Sequence, residues 1–397
     1  MRKSVLIYCL FIFTVVFIVA ACNDPIFYTI YQEVEPIDPR IKGAPSNLVV
    51  FNKAMYVASG SVIHRYNGPR DWDDDTIDSP GGRILQIAST KAKDESDKEF
   101  LYALCFYDRS SRVEFVLWQY DGDDWEALGG ETDSYDSIQH IFPAGDVLFI
   151  GAENNVDSNT YTVLYVDKDE PDVKMAIKKL NITGEISGAS YDGTNYYIST
   201  RGSGVFKIDP ALEEATLIKD NNGNDVSVNF VGMINLGNSG NTIALITRTG
   251  AIYTIKDSVF SKEGNISFGG RLASGSLAIW EDRDDPSRKL LLAGRQDMLD
   301  YTVDSGYTYG YLELELDANG IKSGSDFNEP GIKDITTINV VDGYERYKST
   351  IGKYPVNFIL QTPPEIDSNR ILFASTQKNG VWSYRQRSGG YQWNAEE

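Results

Sequence analysis

The stretch VIHRYNGPRDW at residues 62–72 returns, imperfectly, as VLWQYDGDDW at 116–125, with Val62 and Val116 54 residues apart. A chain that restates a strand and its exit turn at such an interval is building one supersecondary unit again. The same order recurs to the C-terminus. A short apolar strand and a Gly or Asn turn lead to a second strand. A third strand with a large central residue follows, and Asp or Gly introduces a weaker fourth. The third-strand centres fall at His64, Trp118, Leu164, Phe206, Tyr253, Leu314 and Trp382, spaced by 54, 46, 42, 47, 61 and 68 residues. Polar stretches at 295–309 and 322–350 absorb the two longest intervals. A single sheet of this size cannot cover both of its faces, so it must be flanked by copies of itself. The expected fold is therefore all-β, a β-propeller of seven four-stranded blades. Six or eight blades are the alternatives in the count. A pair of β-sandwiches, the rival architecture, would not produce the periodic return. Trp72, Trp125 and Trp393 are expected in fourth strands. The 24 Tyr and 35 Gly suit strands joined by tight turns.

The first residues, MRKSVLIYCLFIFTVVFIVAACND, place Arg2 and Lys3 before an apolar run that ends in VAAC. Small residues directly before Cys22 resemble the bacterial lipobox, which implies cleavage before Cys22 and lipid on its thiol. An uncleaved membrane anchor and ordinary secretion are the alternatives. The expected organisation is a signal peptide at 1–21, a lipid-anchored tether at 22–43 that adds a strand at most, and the propeller at 44–397. Cys9 would leave with the signal and Cys22 would carry lipid, so Cys105 would be the mature domain's free thiol, with no intrachain disulfide. It lies in the apolar run FLYALCFY and reads as a buried structural residue. Loss of two of the 37 basic residues, against 57 acidic ones, takes the net charge from −20 to −22. That charge repels phosphate backbones, so nucleic acid is not an expected partner. It also leaves membrane attachment to the acyl chains rather than to a basic patch.

YYISTRGSGVFKIDP at 196–210 and ILFASTQKNGVWSY at 371–384 resemble the strand–turn–strand core of bacterial sensor-type propeller repeats, which place Thr or Ser, then Gly, then an aromatic. With the lipobox, the whole chain resembles a bacterial β-propeller lipoprotein. The PQQ-like repeats of outer-membrane assembly propellers are not matched.

Catalytic signals are weak. The two histidines, His64 and His140, cannot furnish a His-rich metal site, and His64 occupies a blade-centre position. The acidic stretches DWDDDTID (71–78) and DNNGND (220–225) do not fit the twelve-residue calcium loop and read as turn carboxylates. There is no G-x-S-x-G, and QRSGGYQW at 386–393 has Ser388 where an Asp-box needs Asp. No cofactor motif is present. One constellation is sharper: Arg201, Arg248 and Arg295, each 47 residues from the next, end the second strands of three successive blades. On a ring they would share one face and hold a carboxylate or sulfate ligand. The competing reading pairs each with a nearby carboxylate.

The resulting expectation is a monomeric, lipid-anchored envelope scaffold that binds a protein or acidic carbohydrate-like ligand without catalysis. A propeller enzyme acting on glycans, of sialidase, lyase or glycosidase type, is the alternative, as is a structural subunit of an envelope assembly complex.

Overall fold

In the computed structural model, the run FLYALC is buried on both sides. Leu101, Ala103 and Cys105 join a core shared with the preceding sheet, whereas Tyr102 and Leu104 join one shared with the following sheet. Strand alternation sends successive side chains to opposite faces, so both parities are apolar only where both faces are covered. Seven four-stranded antiparallel sheets repeat this arrangement as a seven-bladed β-propeller, each in the order first, second, third, fourth strand. The blades occupy 48–73, 83–127, 135–183, 185–217, 230–265, 272–321 and 356–395. The seven blade centres expected from the sequence all lie in third strands, and Trp72, Trp125 and Trp393 all lie in fourth strands. Within the 322–350 stretch the structure adds a two-stranded hairpin, Thr336–Val341 with Tyr344–Lys348, where the sequence analysis saw only polar loop.

The structure describes residues 41, 43–74, 76–91, 98–109, 112–129, 135–154, 161–167, 169–170, 173–220, 222–226, 228–237, 241–265, 272–295, 310–318, 320–322, 336–341, 344–348, 351, 355–377, 379–387 and 390–396. The expected signal peptide, Cys22 and nearly all of the tether lie outside the described residues. The unit Arg40–Glu396 contains all seven blades.

The core follows the ring. Among the described residues, six apolar clusters each span neighbouring blades, including one that joins blade 1 to blade 7. The innermost strands are bent by a recurrent device. Leu85, Gln139, Ser187, Val231 and Asn357 are each an extra residue in a first strand, opposite no partner on the second. Blade 6 carries a longer excess between Leu272 and Leu277. A bulge sharpens the twist and bends the strand, which lets each inner strand follow the axis.

Adjacent inner strands do not share a ladder, and side-chain amides partly replace it. Asn47 accepts from Ile87 N and donates to Ile87 O, and Gln86 does the same to Ile141. Gln361 accepts from Glu281 N and donates to Glu281 O. A primary amide carries the donor and acceptor of a peptide group, so it satisfies backbone that would otherwise be buried unpaired.

Among the described residues, blades 1 and 7 meet without exchanging a strand. Trp72 packs against Tyr66 and Phe373, with ring centroids 5.3 and 5.7 Å away. Glu396, fully buried, accepts hydrogen bonds from Trp72 Nε1 and Arg70 N of blade 1, both at 3.0 Å, and from Ser383 Oγ of blade 7. Tyr66 Oη donates to Asp367 Oδ2 at 2.8 Å across the same seam.

Turns between second and third strands are tied by threonine. Thr200 Oγ1 donates to Gly204 O at 3.1 Å and Thr376 Oγ1 to Gly380 O at 2.8 Å. This is the physical content of the Thr-to-Gly spacing in the repeats, since the buried hydroxyl closes the turn that the glycine permits. Cys105 is fully buried, and burial pushes its thiol up to about 12. The folded protein should therefore leave Cys105 unmodified by a thiol reagent at neutral pH and expose it in urea. Rapid labelling of the native fold would contradict this placement.

Candidate functional site

A four-stranded meander has two distinct ends. One face of the disc carries the turns between second and third strands and the connections from blade to blade, and is here called the connector face. The other, the hairpin face, carries the turns from first to second and from third to fourth strands.

Arg201 is the last residue of the second strand Tyr196–Arg201, Arg248 follows Ile243–Thr247, and Arg295 ends Lys289–Arg295. The 47-residue spacing thus places all three at equivalent turns on the connector face. Their surroundings differ. Arg201 is exposed and pairs with Glu185 of its own blade, Nη1 to Oε1 at 2.7 Å. Arg248 is half-buried, and its carbonyl accepts from Leu272 N of blade 6 at 3.2 Å. Arg295 is 1% exposed, within the blade rather than at its rim.

Arg201 belongs to a polar group at the junction of blades 3 and 4. Gln139 Nε2 donates to Glu153 Oε2 at 3.1 Å, and Ser137 Oγ lies 3.4 Å from the same oxygen. Burial, and then the Arg201 charge, holds His140 below its ordinary range, so this imidazole is neutral at neutral pH. Burial and the nearby Glu153 and Glu185 raise the Tyr161 hydroxyl.

The hairpin face holds a site that was not expected from the sequence. Between blades 6 and 7, with Pro69 of blade 1 at its edge, lies a cleft of about 580 Å³. Its arginines, Arg283, Arg288, Arg370 and Arg385, come from both blades, and Trp280, Tyr384 and Tyr391 supply rings. The turn from Glu281 to Lys289 forms one wall. Asp282 shapes it, accepting from Asp284 N at 2.9 Å and Asp285 N at 3.3 Å, and holding Arg288 Nη1 at 3.1 Å. Burial raises the Asp282 carboxyl, but those N–H groups and Arg288 outweigh it and leave the group below its ordinary value. The Arg288 guanidinium also stands over the Trp280 ring, 5.8 Å from its centroid. Arg283 binds Asp284 through Nε at 3.0 Å.

The other wall is the connection from Gln361 to Leu372. Arg370 has a left-handed backbone, φ 52°, and reaches across to Glu281 with Nη2 to Oε2 at 2.6 Å. Lys289 holds the other oxygen of Glu281, and the two cations overcome the burial that would raise its carboxyl. Tyr384 stacks with Tyr391 at 5.9 Å and 29°, and Tyr391 is 53% exposed. Planar cations and open rings on a rigid frame are suited to hold an anion attached to a flat or ring-shaped body.

No group of three or more metal-ligating side chains gathers among the described residues. Asp220, in the stretch weighed as a calcium loop, is a turn acceptor for Asn222 N and Asn224 N. The cleft left one trace in the sequence. WEDRDDPSRK and PPEIDSNR are long first-to-second turns in successive blades, whereas blade 1 makes the same turn with Asn52 and Lys53 alone.

The chain matches no protein-family model and no curated protein. Among solved structures it is similar to BBS1N in complex with ARL6DN, at 10% identity over 87% of this chain and 93% of that one, with a TM-score of 0.51. It is also similar to a chain of the mitotic checkpoint complex, at 13% identity over 89% of this chain and 95% of that one, with a TM-score of 0.49. For YCF48 bound to a peptide the figures are 11%, 88%, 94% and 0.47. At such identities the likeness describes the propeller fold.

Proposed function

We propose that this protein is a non-catalytic binding scaffold, held at the bacterial cell envelope by lipid on Cys22 and presenting a protein or acidic carbohydrate-like ligand with a rigid propeller face. The observation that carries the binding role is the state of the cleft's carboxylates. Asp282 and Asp284 stand on one turn, and each is taken up by an arginine. A glycan-cleaving pair would instead face each other across the substrate, with one carboxyl raised to act as an acid. Asp282 is lowered, which suits holding rather than proton transfer. The similar BBS1N chain is described in complex with ARL6DN, which is in keeping with a protein-binding role for a propeller of this shape. The envelope assignment rests on the order of charged, apolar and small residues before Cys22.

Fractionation of cells expressing the full chain tests the anchor. Wild type should sediment with membranes and enter solution with detergent, and Cys22→Ser should be recovered in the soluble fraction. Membrane retention of the Cys22→Ser variant would remove the lipid from this reading.

A further inference from the structure

We infer that the cleft between blades 6 and 7 is a binding site for an anionic saccharide, with guanidinium groups taking the acid group and aromatic rings taking the sugar. This inference rests on the scaffold reading above and specifies one site and one ligand class for it.

Four observations converge. In a chain of net charge −20, both walls of one cleft are armed with arginine. A guanidinium has five N–H donors, more than one carboxylate oxygen can take up. Arg370 reaches Glu281 through one terminal nitrogen, and its Nε–H is buried without a hydrogen bond. The Glu281 ion pair thus fixes the Arg370 fork in place rather than exhausting it, which is pre-organisation for a second anion.

The rings supply the second observation. Tyr391 is the most exposed aromatic among the described residues that line the cleft, and it lies nearly parallel to Tyr384. Trp280 lies on the opposing wall, beneath Arg288. A pyranose has an apolar C–H face that packs on such rings and a polar rim that suits neighbouring amides such as Asn369.

The third observation argues against an extended acidic peptide. A peptide docking by strand addition needs free backbone groups. Here the floor's backbone is already engaged: Gln361 takes Glu281 N, Glu281 O and Arg370 O, and Thr362 N takes Ile371 O. Recognition in this cleft falls to side chains.

The fourth is size. About 580 Å³ lies within the range of small-ligand sites, so the cleft accommodates a short oligosaccharide segment.

The test is calorimetric titration of the detergent-solubilised full chain with four probes: an oligogalacturonate, a heparin-derived sulfated oligosaccharide, a neutral maltooligosaccharide and polyglutamate. Saturable binding of either acidic saccharide is expected, and the tighter of the two identifies carboxylate or sulfate as the anion. The neutral saccharide and polyglutamate should not compete. Arg283→Gln and Tyr391→Ala change exposed side chains, so melting temperature should hold while affinity falls roughly tenfold or more in each. Arg248→Ala should bind as wild type. Equal binding of the neutral saccharide, or displacement by polyglutamate, would overturn the ligand class. Loss in Arg248→Ala with retention in Arg283→Gln would move the site to the connector face, overturning the cleft while leaving the scaffold intact. Failure of both acidic saccharides to bind would also overturn the inference. The anchoring of the scaffold is read separately, in the fractionation of Cys22→Ser.

Discussion

Glu396→Ala should lower the stability of the ring by about 3–5 kcal/mol, seen as a lower urea midpoint in tryptophan fluorescence. Wild-type Glu396 receives Trp72 Nε1 and Arg70 N from blade 1 and Ser383 Oγ from blade 7 while fully buried. Arg385 approaches it to 3.6 Å, with that guanidinium largely buried. Truncation leaves an indole N–H and a backbone N–H without their acceptor and a buried cation without this carboxylate. The penalty for buried donors stripped of their common acceptor dominates this loss. Among the described residues no strand crosses between blades 1 and 7, so the seam depends on these bonds and on the apolar cluster that includes Tyr66, Trp72 and Phe373. Ser383→Ala, which removes one donor and keeps the carboxylate, should cost only about 1 kcal/mol. If Glu396→Ala and Ser383→Ala were equally mild, the buried carboxylate would not be what closes the ring.

The seam was invisible in the sequence for a physical reason. Glu396 follows Asn394 and Ala395 in a polar stretch where a carboxylate ordinarily lies in solvent, and only the closure of the ring brings Trp72 to it. The repeats, in contrast, were legible because each blade writes both of its faces as apolar residues and punctuates its turns with Gly. FLYALC declares a two-sided strand without reference to any other part of the chain. The inner-strand bulges left no such mark, since one additional residue such as Ser187 or Val231 in a short apolar run does not disturb a pattern already apolar at both parities. The amides that join inner strands are equally silent. Asn47, Gln86 and Gln361 read as ordinary polar residues until a neighbouring backbone is placed beside them.

The candidate sites divide in the same way. The equal spacing of Arg201, Arg248 and Arg295 correctly located three equivalent turns, because register within a repeat is a local property. It said nothing about exposure, which depends on what covers each turn, and Arg295 is buried whereas Arg201 is not. The cleft depends on two turns whose contact residues, Glu281 and Gln361, are 80 positions apart. Only the angular packing of blades 6 and 7 turns them into facing walls.

That packing sets the last expected result. Gly294→Ala should destabilise the protein by about 2–3 kcal/mol although it adds a single methyl group. A Cβ at position 294 would lie 2.3 Å from the carbonyl oxygen of Val356 in blade 7 and 2.9 Å from Ser276 Cβ in its own blade. Neither neighbour is the free end of a flexible chain. Val356 begins the inner strand of blade 7, and Ser276 Oγ accepts from Gly294 N at 3.1 Å while donating to Ala273 O at 2.7 Å. Relief therefore requires the two blades to part at their connector-face ends, which disturbs the packing that holds them together. Gly264→Ala is the control: its Cβ would meet nothing within 4 Å, so its stability should stay within about 0.5 kcal/mol of wild type. A Gly294→Ala variant that unfolds at the wild-type urea midpoint would mean that blades 6 and 7 do not approach to backbone contact. A destabilised variant that also loses saccharide affinity would tie the spacing of these blades to the cleft they frame.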